Sequence, residues 1–144
     1  MTALAADRNT PTKYKERVIA CLVDDESVIY AGALCAWNSL GFLVPMSDTA
    51  SLKVAGRAEA KLDMTGAPSD GVLLASLGGG RATVDVATGV FAWTPTAALL
   101  ADGQAAIGTM VYGYDDATVG KSSDTTNDTP VGILEEIDAG GLYW

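Results

Sequence analysis

The chain has 144 residues, of which 49% are hydrophobic and 19% are charged, and its formal net charge at pH 7 is −9. This length suits one domain with a substantial core, and this apolar content excludes a wholly disordered chain. The sequence contains no histidine, which excludes Ser-His-Asp and Cys-His catalytic sites, His-ligated metals and histidine acid–base chemistry.

The first 17 residues differ from the rest in charge. They carry a net charge of +2 against a total of −9, which leaves −11 for the remainder. They contain Pro11 and show no core-forming periodicity, so we predict an extended N-terminal arm over 1–17 and a single β-rich domain over 18–144. Because an acidic body repels phosphate backbones, we expect no nucleic-acid partner.

No apolar run approaches the roughly 20 residues that a membrane-spanning helix needs, and no secretory signal is visible at the start. We therefore expect no membrane partner and synthesis in a cytoplasm.

Short strand patterns follow one another from Val18 onward. β-Branched content predicts a strand in "RVIACLVD", and further strands follow in "ESVIYAGALCAWN" and, after a turn at Leu40-Gly41, in "SLGFLVP". Alternation predicts a half-exposed strand in "ASLKVAGRAEAKLD". A helix is the alternative there because of "RAEAKL", and Gly56 disfavours it. The run "VLLASLGGG" predicts a strand that ends in a glycine turn. In "RATVDVATGVFAW" we expect a hairpin that turns at Ala87-Thr88-Gly89.

One short helix interrupts the strands, at about 95–102. Thr94 suits its N-cap, Pro95 its first position and Gly103 its end. Two further strands flank a turn at Asp115-Asp116. The end of the chain predicts a hairpin, in which a strand at 131–134 is followed by a turn and by a return strand at 142–144.

This succession of short strands with Gly-rich turns predicts an all-β fold, a small single-domain β-barrel or β-sandwich. In the return strand, Leu142 and Trp144 should lie on one side and Tyr143 on the other, because side chains alternate along a strand. One side should face the domain core and the other a neighbouring subunit.

Cys21 and Cys35 each lie in an apolar run. Such residues are typical of buried free thiols, and a disulfide remains the alternative if the two strands pair.

Several polar clusters have a structural and a functional interpretation. Gly78-Gly79-Gly80 resembles a phosphate loop but lacks the Lys-Ser/Thr that follows one, so a turn is favoured. Asp24-Asp25-Glu26 and Asp115-Asp116 are either catalytic carboxylates or turn residues, and the pattern favours turns. Oxygen ligands for calcium are present at Asp124, Asn127 and Asp128 without the glycine and glutamate of an EF-hand.

Four aromatic residues have two interpretations. They either stack on a sugar or a base, or pack in a core or at an interface. They are Trp37, Trp93, Tyr112 and Tyr114. We predict no catalytic residue, no metal site and no cofactor.

Four pieces of the sequence, in this order, resemble the decoration or cement proteins of tailed-bacteriophage and prophage heads. They are "ALAADRNTPTK", "VIYAGALCAW", "VAGRAEAKLDMTG" and the closing "IGTMVYGYDDATVGKSSDTTNDTPVGILEEIDAGGLYW". The resemblance implies a non-enzymatic virion protein on the outer surface of an icosahedral capsid, assembled in the host bacterial cytoplasm. Its implied partners are the major capsid protein, whose subunits it would bridge, and further copies of itself, most often in a homotrimer.

Two sets of residues are expected to make these contacts. The capsid-contact arm comprises Arg8, Asn9, Thr10, Pro11, Lys13, Lys15 and Arg17, and the C-terminal contact comprises Leu142, Tyr143 and Trp144. The alternative functions are a carbohydrate- or host-surface-binding β module, a tail or baseplate β protein, and a hydrolase that uses the Asp pairs.

Overall fold

The computed structural model describes residues 4–10, 12–65, 82–140 and 143, and of residues 12–16 it describes the backbone alone. Within these ranges the fold is all-β with one short helix, as the sequence predicts, and the sheets do not close into a barrel. The strands are β1 (Thr12–Leu22), β2 (Val28–Ile29), β3 (Leu34–Trp37), β4 (Leu43–Pro45), β5 (Lys53–Ala58), β6 (Leu62–Asp63), β7 (Thr83–Phe91), β8 (Thr94–Pro95), β9 (Met110–Gly113), β10 (Thr118–Gly120) and β11 (Pro130–Ile133).

A five-stranded antiparallel sheet with the order β1-β7-β5-β3-β4 forms the centre of the molecule. A four-stranded sheet with the order β11-β9-β10-β8 packs on one face. The two-stranded ribbon β2-β6 packs on the other face, where Ile29 and Leu62 contact the cluster that contains Cys35 and Leu43. Helix α1 (Ala97–Asp102) and a 3₁₀ turn (Gly103–Ala106) connect β8 to β9.

The central sheet separates two apolar clusters. Period-2 alternation explains the separation, because Leu34 and Ala36 of β3 enter one cluster and Cys35 between them enters the other. The first cluster also holds Trp93 and Tyr143 and joins the two larger sheets. Apolar side chains therefore face both sides of one strand, which is why the β3 run is almost wholly apolar.

Strands β5 and β7 diverge at one end of their contact. Their pairing comprises Arg57 with Ala87 and Ala58 with Val86. Gly56, at φ 138°, lies so close to β7 that a Cβ there would be 2.4 Å from the Ala87 carbonyl oxygen. The strands separate beyond this point, which opens a cleft between them.

The structure corrects three strand predictions. In the predicted closing hairpin, β11 pairs with β9 rather than with the return strand, and Tyr143 forms bridges with Trp93 and Ile137. β1 begins at Thr12 rather than at Val18, and its residues from Thr12 to Arg17 pair with β7. No structural boundary therefore falls at residue 17. β7 is also continuous through the expected turn, because Thr88 and Gly89 pair with β1; long-range pairing overrides the turn propensity of Gly89.

The helix is present, with a different start. Its N-cap is Thr96, whose side-chain oxygen accepts a hydrogen bond from the Leu99 amide at 3.1 Å. Thr94 and Pro95 lie instead in β8, which runs parallel to β10. Gly103 follows the helix with φ 53°, as the sequence predicts.

The strand and glycine turn expected over 72–80 lie outside the described residues. In the described part of the chain, no helix is long and apolar enough to cross a membrane.

Candidate functional site

The β1 edge is the outer side of strand β1, and no described strand pairs with it. Along this strand Cys21 belongs to a buried cluster and Ile19 packs against it, whereas Val18 and Leu22 are 43% and 41% exposed. Apolar side chains thus face both sides of an edge strand. Long apolar edges are rare in isolated proteins because they template pairing with other chains.

Most of the basic residues expected in the arm belong to this strand. Lys13 and Lys15 are residues of β1, as is Arg17, which is exposed. Glu16 is the one acidic residue of the strand, so the edge is cationic on a body of opposite charge. Opposite charge at an interface rim sets orientation and association rate.

Residues 4–10 form a strap that packs on the chain's own domain. The Leu4 amide donates to Asp116 Oδ1 at 2.7 Å, and the Arg8 amide donates to the Ala31 carbonyl at 2.7 Å. Thr10 is 2% exposed, and its hydroxyl donates to the Gly32 carbonyl at 2.6 Å. The strap is therefore anchored at both ends and near its middle.

The Arg8 side chain enters a socket formed by Asp115, Asp116 and the carbonyls of Ala92 and Ala117. Its guanidinium donates to the Ala117 carbonyl at 2.8 Å and to the Ala92 carbonyl at 3.4 Å. The same group lies 5.8 Å from the centroid of the Trp93 ring, within the range of a cation–π interaction.

The acidic residues of the socket are buried, Asp115 at 9% and Asp116 at 3% exposure. Burial raises the pKa of Asp116 above its ordinary value, although the Leu4 amide and the Arg8 charge act in the opposite direction. Burial likewise lowers the pKa of Arg8, against the attraction of both aspartates. Asp115 Oδ2 is buried and has no hydrogen-bond partner among the residues that the structure describes.

Gly32 makes room for the strap. It adopts φ 83°, and a Cβ at this position would lie 1.8 Å from the Arg8 carbonyl oxygen. Only glycine combines this backbone conformation with so close an approach.

A cleft of about 290 Å³ lies where β5 and β7 diverge. Trp37, Phe91 and Trp93 contribute aromatic surface to it, and Arg17 also lines it. The structure thus brings together two of the four aromatic residues that the sequence singled out. Tyr112 and Tyr114 are half-buried and are not part of this lining.

Of the three C-terminal contact residues, the structure describes Tyr143. It is 1% exposed, belongs to the cluster between the two larger sheets, and pairs with Trp93 through an amide-to-carbonyl bond of 2.9 Å. Its hydroxyl donates to the Leu100 carbonyl at 3.4 Å. Tyr143 faces the core; Leu142 and Trp144, like Pro11 of the arm, lie outside the described residues.

The acidic clusters occupy turns, as the sequence favours. Asp24 Oδ1 accepts from the Asp25 amide and Asp115 Oδ1 from the Ala117 amide. In the loop that carries the oxygen ligands considered for calcium, Asp128 accepts hydrogen bonds from two hydroxyls, and the Asn127 amide donates to Asp48. Within the described residues, no three His, Cys, Asp or Glu side chains are placed to hold a metal ion.

Cys21 and Cys35 are free and buried in the same cluster. Burial raises the pKa of Cys35 to about 12, so its thiol stays protonated and unreactive at neutral pH.

Sequence reasoning missed the socket. The Arg8 side chain meets residues 84 and 109 positions away, and such contacts leave no local periodicity. The available signals were a glycine at position 32 and an acidic pair in a turn, and each has a common local explanation.

No protein-family model, curated protein or solved structure matches this chain.

Proposed function

We propose that this chain is a structural decoration protein of a tailed-bacteriophage head, which binds the outer surface of the capsid and bridges neighbouring subunits of the major capsid protein. The observation that carries the proposal is the β1 edge. It is long, apolar on both faces and cationic, and it has no described strand beside it.

Three further features support a structural function. The acidic side chains described above have structural roles in turns and in the socket. They accept hydrogen bonds from backbone amides, and in the socket their charge is opposite to that of Arg8. The resemblance of the sequence pieces to head decoration proteins gives the class of partner. An acidic outer body would also keep decorated particles apart in solution.

The test is binding to undecorated capsid shells. Val18→Asp/Leu22→Asp places two charges on the exposed face of β1, and we expect at least about a tenfold loss of affinity, which corresponds to about 1.4 kcal/mol. Leu40→Asp/Leu100→Asp is the matched control, since both residues are exposed, at 77% and 54%, and lie away from β1.

Cryo-electron microscopy of decorated shells should place β1 against the capsid protein. Absence of binding by the parent protein, or equal binding by the two double variants, would overturn the proposal.

A second candidate is a carbohydrate- or host-surface-binding module. The cleft favours it, because Trp37 and Trp93 both line the cleft and sugars stack on aromatic faces. Glycan-array binding that Trp37→Ala abolishes, without affinity for shells, would select this function over decoration.

A further inference from the structure

The cleft between β5 and β7 is a gap within the central sheet. In the described chain these two strands pair only at Arg57 with Ala87 and at Ala58 with Val86. On the sides that face the cleft, residues 53–56 of β5 and 88–91 of β7 have no strand partner among the described residues, although each strand pairs on its other side. Strand backbone carries amide donors and carbonyl acceptors that need partners. Both walls of the cleft are therefore strand edges that can pair with a peptide backbone.

The gap is closed at one end. At Gly56 the backbone of β5 lies so close to β7 that a Cβ would be 2.4 Å from the Ala87 carbonyl oxygen, and the strands separate from there toward Phe91. Arg17, which also lines the cleft, pairs with Thr88, the residue that follows Ala87. Arg17 therefore lies at the closed end, and a segment that enters from the open end stops beside it.

Side chains from both faces of the sheet line the gap. Leu34, Phe91 and Trp93 belong to the cluster that joins the two larger sheets. Ala55 belongs to the cluster on the other face, and Trp37 packs against that cluster. A strand directs successive side chains to opposite faces, so a strand in this gap needs apolar residues at consecutive positions.

The charges along the gap give it a direction. Arg17 is the one charged side chain among the described residues of the lining. A cavity of about 160 Å³ adjoins the open end, where it shares Phe91 and Trp93 with the cleft, and Glu135 lines this cavity. An arginine binds a carboxylate through charge-assisted hydrogen bonds. A carboxylate at the closed end, where the chain has no room to continue, is the terminal carboxylate of a polypeptide.

We propose that the cleft captures the free carboxyl end of a partner polypeptide, whose last two or three residues are apolar and extend between β5 and β7 while the terminal carboxylate binds Arg17. Strand addition and capture of a terminal carboxylate are established modes of peptide recognition. The volume of about 290 Å³ is at the lower limit of ligand pockets, about 300 Å³, which restricts the inserted segment to this length. This capture does not depend on binding to a capsid.

An array of peptides with free carboxyl ends tests the proposal on the full-length protein. The last three positions are varied among valine, isoleucine, leucine, phenylalanine, tyrosine and tryptophan, and an arginine precedes them to face Glu135. The tightest binder is then synthesised a second time with a terminal carboxamide. We expect the carboxamide form to bind at least about tenfold more weakly, because it lacks the charge that Arg17 recognises.

Two variants with the same change of charge assign this difference to a residue. Arg17→Gln should weaken binding of the free-acid peptide at least about tenfold and abolish its advantage over the carboxamide. Lys53→Gln is the matched control, since Lys53 is an exposed residue of β5 that is not part of the lining. This variant should keep the full difference between the two peptides.

Nuclear magnetic resonance locates the bound peptide. The backbone amides of Gly56 and Gly89, which both line the cleft, should shift when the free-acid peptide is added. The amides of Gly103 and Gly108, which lie outside the lining, should not shift.

Three results would overturn the capture: no binder in the array, equal binding of the acid and carboxamide forms, or a difference that survives Arg17→Gln. Shifts confined to glycines outside the cleft would also overturn it. Glycan binding at the cleft without peptide binding would select the carbohydrate-binding function instead. Shell binding is measured separately, so failure of the capture and failure of the decoration function are distinguishable.

Discussion

Arg8 joins the strap to the body of the domain through one side chain. Arg8→Ala removes the guanidinium from two carbonyls and leaves the acidic pair without its cation. We expect the free energy of unfolding to fall by about 1–3 kcal/mol, measured by urea denaturation. Arg17→Ala, at an exposed position of β1, should change it by less than about 0.5 kcal/mol; equal effects would mean that the socket contributes nothing.

The burial of Asp116 should make the stability of the folded protein depend on pH. Burial raises its folded-state pKa, so the stability contributed by the protonated carboxyl is complete below the unfolded pKa of about 3.9 and is lost as the pH rises through the folded pKa. Asp116→Asn stays neutral and retains an oxygen for the Leu4 amide. The stability of this variant relative to the parent should therefore increase as the pH rises.

Asp63→Asn is the control for this pH series. Hydrogen bonds from Thr65 lower the pKa of Asp63, so its carboxylate contributes stability above the unfolded pKa that is lost as the pH falls. The stability of this variant relative to the parent should decrease as the pH rises. Urea unfolding between about pH 3 and pH 7 measures both slopes, and slopes of the same sign would contradict the assignment.

At the scale of elements, Thr96 holds the start of α1. Its side-chain oxygen caps the Leu99 amide, and its hydroxyl donates to the Asp124 carboxylate. Thr96→Ala should lower the free energy of unfolding by about 1–2 kcal/mol. Thr94→Ala, at an exposed residue of β8, should have little effect on the free energy of unfolding. A larger loss from Thr94→Ala than from Thr96→Ala would instead identify Thr94 as the N-cap of the helix, as the sequence predicted.

How far the sequence predicts these elements depends on the range of the interactions. Alternation places a strand in β9, which buries Val111 and Gly113 on one face, and Gly103 ends α1 for local conformational reasons. The order of the strands is not local. β7 pairs with β1, which lies more than 60 positions earlier, and this pairing keeps Gly89 extended where its propensity favours a turn.

In the candidate site, too, local features are predictable from the sequence and long-range contacts are not. The cationic composition of the first 17 residues is visible in the sequence, but its division between a strap and an edge strand is not. Since Thr12 to Arg17 pair with β7, deletion of residues 2–17 would remove half of β1 and destabilise the sheet. Deletion of residues 2–10 is the informative truncation, because it removes the strap alone.

At the scale of the whole molecule, Tyr143 joins the end of the chain to the cluster between the two larger sheets. Deletion of residues 142–144 removes a fully buried aromatic ring and its backbone pair with Trp93. We expect a loss of about 3–5 kcal/mol, in the range measured for truncation of buried aromatic residues.

Tyr143→Phe separates the ring from the hydroxyl. The hydroxyl makes one bond of 3.4 Å, so this variant should lose no more than about 1 kcal/mol. Thermal and urea unfolding measure both changes. A truncated protein that unfolds like the parent would show that the end of the chain is not part of the core.

The position of the Arg8 guanidinium over the Trp93 ring, 5.8 Å from its centroid, gives the domain an optical signal. Trp93 is one of three tryptophans, so a chain with Trp37→Phe and Trp144→Phe emits from Trp93 alone. Its indole is 6% exposed, and departure of the strap removes both the adjacent cation and part of its cover. The emission maximum should then shift to longer wavelength, which allows stopped-flow fluorescence to time the opening of the socket in the intact protein without an added label.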